Sequence, residues 1–550
     1  MPPSATVSTN HEAESAEPES RPLLGAARGS GTKSASKARA RKPTPLPITA
    51  LLILALVKLA EPLNFTQAFP YVNQMIEDLG IAAPEDVGYY SGIVESCFAF
   101  VQLFTIYYWS SLSDRIGRKP VVMIGVSGAA ISAACFGFSR SLWAMLLSRS
   151  IAGALTGNIA VINSMVSDMT DETNQGLAFP IMGMVWSIGS IIGPMIGGNL
   201  SNPMKKWPEI FKHLTIFQAY PYLLPCLISS SFSVLAVVLC GLFVEETLPS
   251  IVAEKKAALE RKAQGLDHVT RSSPSHYGST ASSDIAASAS ASAPSGPIVA
   301  PPSSVASGSS PLSPKPAPAK EGTLLHLLSI PHVRAILISA FLFSWLGVGF
   351  DVVFTLYSYT RVDLGGMGRS PSQIGLALAV SGAVGAFSSL VIFPRIQRRF
   401  NNRSLYNVLA CFWPIAYAMM PIGNLIARWA EGLPPNEGQA WMWVAIAMIL
   451  TPMRAAMNLY PVQMIIIKAS VDSSQLGALF GLQQTISSLA RALAPASSSA
   501  LLAFSVEYNI LGGHFVWVVL ASLGMLAIPI CLRVKDVPAP NRLMVVEDEE

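Results

Sequence analysis

The stretch "WSSLSDRIGRKP", Trp109 to Pro120, decides how the rest of the chain is read. It closes one apolar run, near 87–109, and opens another, near 119–139. Asp114 stands in it among the bases Arg115, Arg118 and Lys119, beside Gly117. Charge this dense between two apolar runs marks a short loop outside the apolar medium, and Lys and Arg gather in loops on the cytosolic side of a bilayer. A topology anchor explains the bases but not the acid and the glycine at this spacing. A loop of this kind can latch one helix bundle to another. Asp114 can sit against a helix N-terminus, where a partial positive charge favours it, and Arg118 can pair with a carboxylate or with helix C-terminal carbonyls.

Outward from this loop the chain reads as an all-α membrane protein. Half of the 550 residues are hydrophobic and 13% are charged, against about 25% charged in soluble domains. Apolar runs long enough to cross a ~30 Å hydrocarbon core as helices fall near 48–71, 87–109, 119–139, 142–166, 176–200 and 221–244. Six more fall near 333–358, 372–393, 404–427, 440–467, 475–503 and 512–533. These spans, numbered 1 to 12, form two six-helix pseudo-symmetric bundles, 48–249 and 326–535. Residues 1–47 read as a disordered cytosolic tail without the apolar core of a signal peptide. Residues 250–325 begin with charge and run into "ASSDIAASASASAPSGP", a composition that reads as a disordered cytosolic linker. Residues 536–550 are an acidic cytosolic tail.

The loop after span 8 carries Arg395, Arg398, Arg399 and Arg403, matching the basic loop after span 2, whereas the loop after span 1 carries Glu77, Asp78, Glu85 and Asp86. Both basic loops, the linker and both termini are therefore expected in the cytosol. Lys205, Lys206 and Lys212, after span 5, fit this less well. Six spans, a linker and six spans with the basic loop repeated is the layout of a transporter built from two repeats. A small-molecule substrate, protons and the lipid bilayer are the expected partners. The net charge of +4 sits in short loops and tails, so no nucleic-acid partner is expected. The six cysteines lie in apolar stretches without a CxxC pair, which points to buried small side chains rather than disulfides or a metal site. No nucleophile elbow, P-loop, HExxH or dinucleotide fingerprint is present, so no enzyme activity, cofactor or metal is expected.

Three further patterns bear on mechanism. In "GSIIGPMIGG" of span 5, Gly189, Gly193 and Gly197 recur on one face, with Pro194 and Gly198 beside them; small residues at this spacing let helices approach closely, and proline bends the helix. Span 4 contains Arg149 in "MLLSRSIAG", and an arginine inside a span is usually paired or faces water. Several other ionisable residues lie at membrane depth: Glu61 in span 1, Glu95 in span 2, Asp351 in span 7, Arg454 in span 10 and Arg491 in span 11. Lys58 is one turn before Glu61 on the same face, so these two can pair. Burial favours a neutral carboxyl and a neighbouring arginine favours the ion. A proton carrier needs that competition, with a balance that differs between access states, although ion pairs that lock helices use the same residues.

The Trp109–Pro120 loop resembles the GxLaDrxGrk signature of the major facilitator superfamily, with Ser110 in place of its first glycine. The span 5 pattern resembles that superfamily's gxxxGPxxGG antiporter motif, and Arg149 with Gly153 resembles its RxxxG element near the proton pathway. Longer strings, "LVKLAEPLNFTQAFPYVNQMI" (Leu56–Ile76), "GYYSGIVESCFAFVQLFTIYYW" (Gly88–Trp109) and "MGRSPSQIGLALAVSG" (Met367–Gly382), are similar to the plant zinc-induced-facilitator-like proteins and their fungal relatives of the drug:proton antiporter type. The resemblance implies the major facilitator fold and proton-driven antiport of a small organic solute or metal chelate by alternating access, through a monomer. An uncoupled facilitator and a non-transporting nutrient sensor are the alternatives. Two features depart from the pattern: "FPRIQRRFNNR" after span 8 has no aspartate, and span 11 has Pro495 and small residues where span 5 has glycines. The cavity is expected between spans 1, 2, 4, 5 and 7, 8, 10, 11, with Phe65, Tyr71, Trp186, Trp345 and Tyr357 as candidate lining aromatics. "ESRPLL" in the tail, with Glu19 before Leu23 and Leu24, resembles adaptor-read sorting signals and favours the vacuolar over the plasma membrane.

Overall fold

The computed structural model describes residues 45–171, 174–263, 326–471 and 473–534. The sorting signal Glu19, Leu23 and Leu24, nearly all of both tails and most of the linker lie outside the described residues.

Helices dominate because a backbone in hydrocarbon must satisfy its own hydrogen bonds. Among the described residues, eleven helices are long and apolar enough to cross a membrane. The expected fourth span is divided into Leu142–Leu155 and Asn158–Met169. Its break is filled from span 2 (Val87–Ile116): Trp109 Nε1 donates to the Ala154 carbonyl at 2.6 Å and Gln102 Nε2 to the Thr156 carbonyl at 3.0 Å. A Cβ on Gly157 would stand 2.4 Å from the Trp109 ring, so the chain can pass here only with glycine. The other spans of the first half are Ile48–Thr66, Arg118–Gly137, Gln175–Leu200 and Leu223–Phe243. Span 1 stops at Thr66, short of its expected end at 71, and a short helix, Val72–Asp78, follows.

Span 7 is Pro331–Tyr359, span 11 Ser473–Glu507 and span 12 Phe515–Leu532. Spans 8, 9 and 10 are interrupted. Span 8 (Pro371–Phe387) passes through a π turn, Ser388–Ile392, into Phe393–Arg399; span 9 divides at Met419 and span 10 at Asn458. A further difference lies at the start of the linker, where Pro249–Ala263 is helical. Its sequence, "PSIVAEKKAALERKA", consists largely of Ala, Glu, Lys and Leu, good helix formers, after an initial proline. Among the cysteines, Cys226, Cys240 and Cys531 are buried as expected, whereas Cys135 and Cys411 are exposed on apolar helix surfaces.

The two halves meet along two seams, span 5 against span 8 and span 2 against span 11. The seams join at the end opposite the basic loops. A Cβ on Gly198 would come within 2.4 Å of the Pro371 carbonyl, and one on Gly375 within 2.3 Å of the Pro194 carbonyl. At the other seam a Cβ on Gly92 would stand 1.7 Å from Ser499 Oγ, and the Ala496 amide donates to Ser96 Oγ at 2.8 Å. Tyr359 donates to Glu77, Tyr89 to Glu507 and Ser372 to the Gly198 carbonyl, all across the halves at this same end. Span 11 thus supplies the small residues into which the glycines of span 2 fit.

Candidate functional site

A central cavity of about 420 Å³ lies between the halves. Thr66 and Phe69 line it at and just beyond the end of span 1, Trp186 and Ser190 from span 5, Asp351 from span 7, and Arg454 and Tyr460 from span 10. Among the described residues, none of spans 2, 4 and 11, which were expected on its wall, lines it. The helix breaks explain part of this. Span 2 spends its inward-facing polar side chain, Gln102, on the broken turn of span 4, so these helices close on each other instead of the cavity.

The ionisable residues divide into two groups. Asp351 and Arg454 are half-buried on the central wall, within electrostatic range of each other. Arg454 Nε donates to Ser381 Oγ of span 8 at 2.5 Å. Glu61 and Arg149 instead line a narrow space of about 30 Å³ inside the first half, with Asn64, Gln67 and Phe136. Glu61 accepts from Gln102 Nε2 at 3.1 Å. Lys58 stays within electrostatic range of Glu61, while its Nζ donates to Asn163 Oδ1 of span 4 at 3.2 Å. Arg149 Nη2 stands 3.9 Å from Glu95 Oε1, and its guanidinium lies 4.5 Å over the Phe136 ring. Glu95 and Arg149 are 2% and 6% exposed, and neither Glu95 oxygen has a hydrogen-bond donor. A buried ion pair with unsatisfied atoms is expensive to keep. Arg491 donates to Ser488 Oγ at 2.9 Å and acts on Glu61 from the opposite half.

The glycine motif packs as its spacing suggests. Added Cβ atoms on Gly189, Gly193 and Gly197 would stand 2.6 Å from Pro62, 2.0 Å from Thr66 Oγ1 and 1.8 Å from the Gln67 carbonyl, all on or just beyond span 1. Gly198 turns to span 8, so span 5 is held between its own half and the other.

The Trp109–Pro120 loop is organised around a residue that its own sequence does not contain. Glu246, just beyond span 6, accepts from the amides of Arg118 and Lys119 at 2.9 and 3.1 Å and from those of Thr247 and Leu248 at 2.9 Å. Burial alone would push its carboxyl up, but these four donors outweigh burial and hold it below the ordinary carboxylate range. The cap that Asp114 was expected to form at a helix N-terminus is therefore made by Glu246 on span 3, while Asp114 and Arg115 are exposed. Gly117 has φ +105°, and a Cβ there would meet Glu246 Oε2 at 2.5 Å. Arg118 pairs with Asp168 of span 4, and Lys119 Nζ donates to the Gly241 carbonyl at 2.8 Å. In this arrangement the loop ties spans 2, 3, 4 and 6 within one half.

Of the candidate aromatics, Trp186 lines the central cavity and Phe65 the smaller space, where it packs against Phe98 and Trp186. Tyr71 and Tyr357 are packing residues, 0% and 2% exposed, with hydroxyls against Cys226 Sγ and the Met420 carbonyl. Trp345 donates to Ser497 Oγ. The residues missed by sequence reading, Gln102, Asn163, Asp168, Glu246 and Ser381, are ordinary polar residues. Only Glu246 gives a local sign, as one of two acids directly after an apolar run.

Two six-span halves, joined at one end around a polar cavity at membrane depth, define a multi-pass membrane transporter. The Major Facilitator Superfamily profile matches residues 54–495, and the chain belongs to that family. It is 36% identical over 479 residues to "Major facilitator-type transporter psiT2" of Psilocybe cyanescens, covering 85% of this chain and 86% of that one. It is 26% identical over 482 residues to "Protein ZINC INDUCED FACILITATOR 1" of Arabidopsis thaliana, covering 84% and 87%. In fold it is similar to a bacterial homologue of the human lysosomal transporter Spinster, with TM-score 0.59 and 16% identity over 90% of this chain and all of that one.

Proposed function

We propose that the protein is an antiporter that exchanges protons for a small organic solute or metal chelate by alternating access, acting as a monomer. One observation carries this reading. Two carboxylates at membrane depth lie within electrostatic range of an arginine on another span, Glu61 of Arg491 across the halves and Asp351 of Arg454 on the cavity wall. Separation of the halves during a change of access moves Arg491 away from Glu61, and that favours proton uptake by Glu61; their return favours its release. The solute occupies the central cavity, where Trp186, Phe69 and Tyr460 offer aromatic surface beside Arg454 and Asp351.

The basic end is read as cytosolic, with the termini and linker on the same side, in the vacuolar membrane rather than the plasma membrane. The described arrangement then opens towards the cytosol, because the cross-half hydrogen bonds gather at the other end. Glu61→Gln in proteoliposomes tests the coupling. A panel of organic ions is offered under an imposed pH gradient, and the variant is expected to lose gradient-driven uptake at wild-type protein yield. Unchanged uptake removes Glu61 from the mechanism. Glycosylation tags in loops 2–3 and 8–9 test the topology; tags modified on opposite faces would overturn the paired repeat.

A further inference from the structure

A second space, of about 370 Å³, lies between spans 8 and 10 on the outer flank of the second half. Its walls are apolar: Leu376, Val380 and Val384 of span 8, 42%, 54% and 52% exposed, face Trp443, Ile446 and Leu450 of span 10. Such side chains, exposed on spans, lie against lipid tails. Its base is not apolar. Arg454 and Ser381 close it, and Arg454 also lines the central cavity. One guanidinium therefore stands at the wall between the bilayer-facing groove and the solute path. Its Nε is taken by Ser381 Oγ, and among the described residues no carboxylate lies within ion-pair distance of it.

The groove has a built floor. Just beyond Arg454, span 10 breaks at Asn458, whose side chain accepts from Ser389 Oγ at 3.0 Å and donates to Ser388 Oγ at 3.2 Å. Ser388 and Ser389 open the π turn of span 8, and π turns recur at functional sites. The two spans are thus pinned together on the basic-end side of Arg454, and the groove lies on the other side. Gly385 keeps span 8 close to the arginine: a Cβ there would stand 3.0 Å from Arg454 Cδ.

We propose that this groove binds an amphipathic organic anion from the bilayer, with its body between spans 8 and 10 and its head on Arg454, from where it passes into the central cavity. Charge complementarity fixes the class. A neutral lipid tail would satisfy the walls but leave the guanidinium, which Asp351 reaches only at longer electrostatic range, without an acid in contact with it at membrane depth, and that is costly; an anionic head on an apolar body satisfies both. The inference rests on the reading of the cavity as a solute path, but binding alone can be measured without any gradient, so its failure is separable from failure of proton exchange.

Trp443 and Arg454 lie on one helix, roughly 16 Å apart along its axis at ~1.5 Å per residue, so a medium-chain fatty acid brominated at its far end can quench Trp443 while its head meets Arg454. The full chain in nanodiscs is titrated with this acid and with the matching bromo-alcohol. Saturable quenching by the acid that disappears in Trp443→Phe is expected, with the alcohol at least about tenfold weaker, the scale of one charge-assisted hydrogen bond. Arg454→Gln should bring the acid down to the alcohol, and Arg454→Lys should restore part of the difference. Ala447→Phe, which fills the groove without adding an indole, should abolish both signals in a monodisperse protein. Equal quenching by acid and alcohol in the wild type, or quenching unchanged by Ala447→Phe, would mean ordinary boundary lipid and overturn the proposal.

Discussion

The two halves descend from one layout but are built from different materials. The first half concentrates buried charge and small residues: Glu95 with Arg149, Glu61 with Gln102, and the glycines of span 5 against span 1. The second half concentrates aromatic bulk, with Trp413, Tyr406, Tyr417, Phe343, Phe350 and Phe354 all less than 2% exposed. Phe343 stacks on Trp413 at 6.4 Å, and Phe350 meets Tyr417 edge-on at 5.4 Å. It keeps its ionisable residues Asp351 and Arg454 on the cavity wall. Glycine contacts allow helices to slide at close range with little side-chain rearrangement, whereas interlocked aromatic rings resist sliding. The difference teaches that the halves need not share the work of alternating access equally. On the proposed alternating-access reading, the second half is expected to be the stiffer body, against which the first half, with its carboxylates, shifts.

The largest effect expected from breaking this contrast is at Trp413. Trp413→Ala should lower the stability of the detergent-purified protein by about 3 kcal/mol, read as a lower melting temperature. A loss no greater than that of a first-half aromatic such as Phe136→Ala would remove the idea of a stiff second half. Next comes Gly197→Val, whose side chain would collide with the Gln67 carbonyl backbone. Overpacking of this kind costs about 1–3 kcal/mol and should weaken the protein while slowing transport more than Trp413→Ala does at matched yield. Equal slowing by the two would show that the glycine face is mere packing.

The smallest effect is at the loop cap. Glu246→Gln keeps the size but replaces a carboxylate that accepts four amides, and should cost about 1 kcal/mol at neutral pH. The sign of its pH dependence follows from the depressed carboxyl. Its stabilisation is complete above the unfolded value, ~4.3, and is lost as pH falls through the folded value. Melting curves of wild type and Glu246→Gln should therefore converge on acidification below that unfolded value. A gap constant from neutral to acid pH would deny the cap its charge.

The glycine face of span 5 and the buried charges of spans 1, 2 and 4 were legible from spacing alone, since helical periodicity is a local property. The hydrogen-bond partner of Lys58 was not. Two residues one turn apart look paired in sequence, but Asn163 on a helix more than a hundred positions away presents the nearer acceptor. Likewise the break in span 4 is hidden inside an apolar run, because what permits it is Trp109 and Gln102 arriving from span 2.

By itself the sequence determined that this chain is helical and membrane-spanning, where its loops carry charge, and which ionisable residues lie at membrane depth. Those follow from the transfer of side chains and backbone out of water, which depends on composition over a single span. The tertiary structure decided that Glu246 rather than Asp114 caps span 3, that Glu61 answers to Arg491 across the halves, and that Arg454 stands between two spaces. Each of those depends on which distant helix comes within hydrogen-bond or charge range, and packing sets that only once all the spans have met.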